Sequence, residues 1–202
     1  MKRILVVTLI IVFAGSLNAQ FSIRAGMGID FASTPSLTDY INQTYQLSLN
    51  DQLRSFNSAI VFSGEAGYLL SENYMLAVDV GYLINSYTTL LDLGQFEFSY
   101  NIISPSLVGY YVISGSGYNF KFGGGVGIRF SNAEDKRGVN KNNYNSTGFG
   151  FLLRADGNTL LGGNIYANIG ADLKYDLNGD LNDKVNLNSF SVGIRLGVTY
   201  IF

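Results

Sequence analysis

The stretch FSVGIRLGVTYIF, residues 190–202, decides how this 202-residue chain is read. Its even positions, from Phe190 through Ile194 and Val198 to Phe202, are all apolar or aromatic. Of its odd positions only Ile201 is apolar; the others are Ser191, Gly193, Arg195, Gly197 and Thr199. Side chains of a strand point to opposite faces with period 2, whereas a helix would scatter these residues around its girth. One face is greasy and the other is polar or tiny. The segment is a strand.

Upstream, the same alternation predicts seven more strands, over 21–31, 60–68, 76–84, 96–102, 118–130, 149–155 and 165–175. Eight strands result. The segment 96–102 places Phe96, Phe98, Tyr100 and Ile102 on the apolar face and Glu97, Ser99 and Asn101 on the other. Pro105 then interrupts the pattern; proline removes a ladder donor, so a bulge is expected there. Short links are predicted at Ser71-Glu72-Asn73, Ser114-Gly115-Ser116-Gly117 and Gly157-Asn158-Thr159, and long polar ones at 32–57, 86–95, 131–147 and 176–189. Up-and-down membrane barrels alternate short and long connections in this way. The first long link reads as holding a short helix, with Thr34 as cap, Pro35 in the first turn, and Leu37, Tyr40 and Ile41 at helical spacing.

Twelve charged residues fall within or at the ends of these strands: Arg24, Asp30, Glu65, Asp79, Glu97, Lys121, Arg129, Arg154, Asp156, Asp172, Lys174 and Arg195. All lie opposite the apolar face, six of each sign. Alternation alone does not say which face is inside. Tyr and Phe near strand ends suit an aromatic girdle, and abundant Gly on the charged face suits a narrow interior. The reading is therefore apolar outward, against lipid, with the charges paired in a lumen too narrow for much beyond its own side chains.

The N-terminus carries Lys2 and Arg3, an apolar run over 4–14, and small or polar residues up to Ala19. That is the layout of a secretory signal peptide, and the run is too short for a spanning helix. The expected division is 1–19 signal peptide and 20–202 a single barrel domain. Losing Lys2 and Arg3 takes the charge from 13 − 15 to 11 − 15, or −4. No Cys follows the cut, so no lipoprotein anchor is expected.

With this signal, the eight strands and a last strand ending in Tyr200 and Phe202, the chain resembles the small outer-membrane β-barrel family, including OmpA barrels and OmpX-like proteins. The resemblance implies an all-β, eight-stranded antiparallel up-and-down transmembrane barrel in the Gram-negative outer membrane. It also implies that Tyr200 and Phe202 form the signal read by the barrel-assembly machinery. No peptidoglycan-binding domain of the OmpA type follows the last strand, so that function is not expected.

Composition removes whole classes of chemistry. The chain has no Cys and no His. A thiolate nucleophile, a Ser-His-Asp hydrolase and a His-based metal site are impossible. A formal charge of −2 with no basic cluster gives no nucleic-acid partner. Glycines 123, 124, 125 and 127 match no phosphate loop. Asp176, Asn178, Asp180, Asn182 and Asp183 approach a calcium loop, but Leu181 and Leu187 stand where an EF-hand needs Gly and Glu. The run Glu134-Asp135-Lys136-Arg137 reads as a solvated loop tip. Carboxylates such as Glu65, Asp79 and Asp172 read as charge-balancing rather than acid–base partners. No cofactor and no enzyme activity are expected. Two functions compete: a structural or adhesive barrel meeting outer partners through long loops, or a narrow porin-like channel or small-ligand conduit.

Overall fold

The computed structural model describes residues 21–44, 56–91, 94–137, 140–182 and 185–202. The expected signal peptide lies outside them. Eight long strands close into one antiparallel barrel: β1 (Phe21–Ser33), β2 (Phe56–Ser71), β3 (Tyr74–Leu91), β4 (Gly94–Gly115), β5 (Tyr118–Arg137), β6 (Asn140–Gly162), β7 (Ile165–Leu177) and β10 (Ser189–Ile201). Each pairs with its chain neighbours, and β1 pairs with β10 over twelve positions from Ser22–Ile201 to Ser33–Phe190. Closure leaves no edge within the membrane, where an unpaired backbone group has no water to turn to.

The alternation in sequence becomes an alternation of exposure. On β10 the even residues from Phe190 to Tyr200 are exposed, while Ser191, Gly193, Arg195 and Thr199 are buried. Ile23, Met27, Phe62, Val80, Leu107, Val126, Leu153 and Ile169 continue this outward apolar belt around the barrel. Aromatic pairs edge it: Tyr74 with Tyr111, Tyr118 with Phe120 and Tyr200 with Phe202 at the end carrying the termini, Phe149 with Phe151 at the other. Such a belt dissolves in lipid, not water.

Short turns join the strands at that terminal end, at Glu72-Asn73, Ser116-Gly117 and Gly163-Asn164. Gly117 (φ 80°) and Gly163 (φ 55°) take the left-handed backbone that these turns require. The third turn is not at Gly157-Asn158-Thr159, because β6 runs on to Gly162 with Asn158 and Thr159 still paired to Asn168 and Ala167.

At the opposite end two expected loops prove to be strand. β3 and β4 pair up to Leu91–Gly94, and β5 and β6 up to Arg137–Asn140. Strands of 18 to 23 residues far exceed the 9–11 needed to cross a bilayer, so these four project beyond it. The expected helix forms as α1 (Pro35–Thr44), begun by the bond from Thr38 N–H to Thr34 C=O. A small hairpin, β8 (Asp180–Asn182) with β9 (Val185–Asn186), completes this end.

β4 corrects two expectations. Its even residues face inward along its length: Phe98, Tyr100 and Ile102 are buried, as are Ser106, Val108, Tyr110 and Val112. The apolar side chains of 98–102 therefore face the interior, not lipid. No bulge marks Pro105, which pairs with Val80 in unbroken register. On its other side only the ladder positions of Ser104 and Pro105 drop out, and the pairing resumes in the same register at Ser106–Gly127.

Candidate functional site

The lumen midsection holds an ion-pair ring drawn from nearly every strand. Arg24 on β1 bonds Asp156 (2.7 Å), Glu65 (2.9 Å) and Asp79 (3.2 Å). Arg154 on β6 reaches Asp79 (2.8 Å), Asp172 (2.9 Å) and Glu65 (3.0 Å). Arg195 on β10 lies 2.8 Å from Asp172 and 3.6 Å from Asp156. Passing Arg24, Glu65, Arg154, Asp172, Arg195 and Asp156 returns to Arg24, with the sign alternating at every step. Lys121 joins at Glu65 (3.0 Å), and Lys174 bonds Asp30 (2.6 Å) and lies 3.7 Å from Asp172.

The pleat explains the meeting. Glu65 and Asp79 are direct cross-strand partners, a repulsive placement on its own. Both Arg24 and Arg154 fork across this carboxylate pair, which turns the repulsion into the anchor of the ring. Glycine supplies the room. Asp30 lies across from Gly193, Asp156 from Gly170 and Tyr110 from Gly123. A Cβ at any of those glycines would collide with the partner side chain.

Eleven of the twelve charges expected in the lumen lie there; Glu97 does not. It projects outward from the extended part of β4, one-third exposed, 3.7 Å from Lys136. Its neighbours Phe98 and Tyr100 take the interior instead. Asp176, which the sequence places in a loop, ends up inside on β7 and bonds Arg129. Among the described residues this part of the lumen thus holds six cations and six anions, with Asp176 in the place given to Glu97; Asp135, farther out, is a seventh inward anion. Sequence reasoning also misses Tyr110: its hydroxyl donates to Glu65 (2.6 Å) and accepts from Arg154 (3.2 Å). Its position on an inward even run with Val108 and Val112 is the available signal.

Apolar and amide layers flank the ring. At the outer end Leu37 and Ile41 of α1, Phe98, Tyr100 and Ile102 of β4, Ala133, Val185 and Leu187 form a buried cluster. Asn178 ties it down, donating to Leu187 C=O (2.7 Å) and accepting from Ser131 (3.0 Å). Two oxygens of the calcium-loop reading are engaged elsewhere: Asp176 Oδ1 accepts from Arg129 and Asn178 Oδ1 from Ser131. Asp183 lies outside the described residues. At the turn end, Asn168 and Thr199 both donate to Asn158 Oδ1, and Asn158 donates to Asn119.

Outside the membrane, the run expected as a loop tip is strand. Asp135 points inward and is buried, whereas Glu134 and Lys136 face out. Glu134 bridges Lys141 (2.6 Å) and Lys136 (3.0 Å), which hold its carboxyl below the usual carboxylate range, and Glu134 in turn raises Lys136.

No protein-family model and no curated protein matches the sequence. Solved structures do. Neisserial surface protein A aligns at 19% identity over 90% of this chain and 97% of its own, with a TM-score of 0.55. Ail, the attachment invasion locus protein of Yersinia pestis, in complex with the heparin analogue sucrose octasulfate, gives 12% identity, 91% and 98% coverage and a TM-score of 0.56. A major outer membrane protein from Thermus thermophilus gives 18%, 92%, 100% and 0.52. With its lipid-facing belt, closed ring of eight strands and charged interior, this chain has the fold of the small outer-membrane β-barrels, the OmpA-barrel and OmpX-like group its last strand resembles.

Proposed function

We propose that the protein is exported with removal of residues 1–19, inserted into the outer membrane by the barrel-assembly machinery, and acts there without catalysis as a sealed barrel that offers its outer extension to partners. The observation that carries this reading is the closed ring of alternating charges lying beneath an apolar cap. Each of the six groups in that ring is held by two or more opposite charges, an arrangement that suits charge balancing rather than acid–base or nucleophilic work. An eight-stranded barrel has little volume to spare, and the cavity at mid-lumen is only ≈ 10 Å³. Tyr200 and Phe202, stacked edge to face on the outer side of the last strand, form the assembly signal.

The channel reading finds no support in this lumen. Polyanion binding, stated for Ail, has none either: among the described outward residues of the extension, Lys136 and Lys141 are matched by Glu97 and Glu134. A neutral partner surface rich in hydrogen-bonding groups fits this face better.

Planar-bilayer recording tests the proposal. A sealed barrel gives no steady discrete currents; reproducible unitary currents from heat-modifiable, folded protein would overturn it.

A further inference from the structure

The turn end of the lumen opens into a vestibule of ≈ 180 Å³ that the sealed-barrel reading does not use. It differs from the lumen above it in having two unlike walls. One wall is apolar, built by Leu69, Met75 and Val112. The other is polar, built by Ser114, Asn119, Lys121 and Asn158. We propose that this vestibule is a binding site for a small amphipathic molecule with a hydrogen-bond-accepting head, a carboxylate or a carbonyl, and a compact apolar body.

The polar wall sets the head. Side-chain bonds run in one direction along it: Asn168 and Thr199 donate to Asn158, and Asn158 donates to Asn119 Oδ1 (2.7 Å). The Asn119 amide nitrogen at the end of this chain has no partner among the described residues, and Asn119 is only partly buried. Lys121 forms the floor; it bonds Glu65 Oε1 (3.0 Å), lies 4.0 Å from Asp156 Oδ2, and its ammonium stands 4.9 Å from the centre of the Tyr110 ring. An ammonium has no acceptor capacity, and an amide nitrogen only donates. Of the groups left over, the Asn119 amide nitrogen and the Lys121 ammonium only donate and the Ser114 hydroxyl can do either, so the wall favours an acceptor. Beside them, the buried Met75 and Val112 reward an apolar body. The volume sets the size: a cavity of about 150 Å³ holds one benzene ring. This reading is independent of what the outer extension binds.

The probe is benzoate, compared with benzamide, benzyl alcohol and benzylammonium, added to the protein in lipid nanodiscs and followed by amide chemical shifts. Saturable shifts confined to Ser114, Asn119, Lys121, Thr199 and their neighbours are expected with benzoate. Benzamide binding equally well would identify the head as a neutral carbonyl; benzamide binding more weakly would identify it as a carboxylate. Ser114→Phe, at the exposed rim, fills the mouth without touching the ring and is expected to abolish the shifts. Asn119→Leu is expected to weaken binding about tenfold. Both variants are checked for folding by heat-modifiability. Equal binding of benzylammonium, unsaturable shifts spread over lipid-facing residues, or full binding by Ser114→Phe would overturn the proposal.

Discussion

The membrane-crossing part of β3–β6 and the part that rises above it share one pleat and one register, yet their outward faces carry opposite contents. Within the belt the outward residues of β4 and β5 are Ile103, Leu107, Tyr111, Val126, Ile128 and Phe130. Above it the outward residues become Asn101, Ser99 and Glu97 on β4, and Asn132, Glu134 and Lys136 on β5. The inward face above the belt is apolar at Ile102, Tyr100, Phe98 and Ala133, with Asp135 buried among them, whereas within the belt it mixes Ser106 and Arg129 with Val108, Tyr110 and Val112. The backbone does nothing at the crossing point. What changes is the solvent, and the outward face follows it: lipid admits apolar side chains there, water accepts polar and charged ones.

The comparison can be broken by substitution, and the largest effect belongs to the ring. Arg154→Met leaves Asp79, Asp172 and Glu65 short of a shared cation, and removing one member of a buried pair costs about 3–5 kcal/mol. Unfolding in urea from lipid vesicles should show that loss, and a stability equal to the parent's would mean the ring is not buried. Lysine on the outward face comes next. Val126→Lys, in the belt, should cost about 2–4 kcal/mol, whereas Asn132→Lys, on the same face above it, should cost almost nothing. Equal costs would erase the boundary between the two regions.

Cap packing follows. Leu187→Ala removes a fully buried side chain from the outer cluster and should cost about 2–3 kcal/mol, but locally. Faster hydrogen exchange in α1 and β9, with the belt strands unchanged, is the expected record. The smallest effect is electrostatic and exposed. The Glu134 carboxyl sits below its ordinary value, so its contacts with Lys136 and Lys141 persist above the usual carboxylate range and are lost as pH falls through the depressed value. A side-chain NMR titration should find Glu134 protonating below the ordinary carboxylate range, with no measurable change in global stability.

Which of this can be read from sequence follows from the same contrast. Strands whose length matches the bilayer, such as β1, β7 and β10, carry one alternation in one medium, and their inward charges are legible directly. β4 is different. Alternation says which residues share a face, but not what lies beyond that face. The segment 96–102 alternates as cleanly as any other, so the lipid rule assigns its faces wrongly: it stands in water. The clue is local: Ile102 and Ile103 lie side by side, one inward and one outward, where the pattern changes hands without a bulge. Glu97 is misplaced for that reason, and Asp176 escapes notice because it lies at the end of β7, where polar residues resemble a loop. Hydrogen bonding by Tyr110 is hidden because an inward tyrosine among valines reads as core. The ring's closure is not legible at all, since it depends on barrel closure bringing together side chains up to 132 residues apart.

The absence of cysteine permits the most direct test. Single cysteines placed along β4 at positions 98 to 111 can carry a nitroxide in bilayers, with contact to lipid-soluble oxygen and to a water-soluble nickel chelate measured by electron paramagnetic resonance. Labels at 103, 107 and 111 should meet oxygen, those at 99 and 101 the chelate, and those at 98, 100 and 102 neither. Oxygen contact at 98, 100 and 102 would place that apolar face in lipid and contradict the reversal of faces above the membrane.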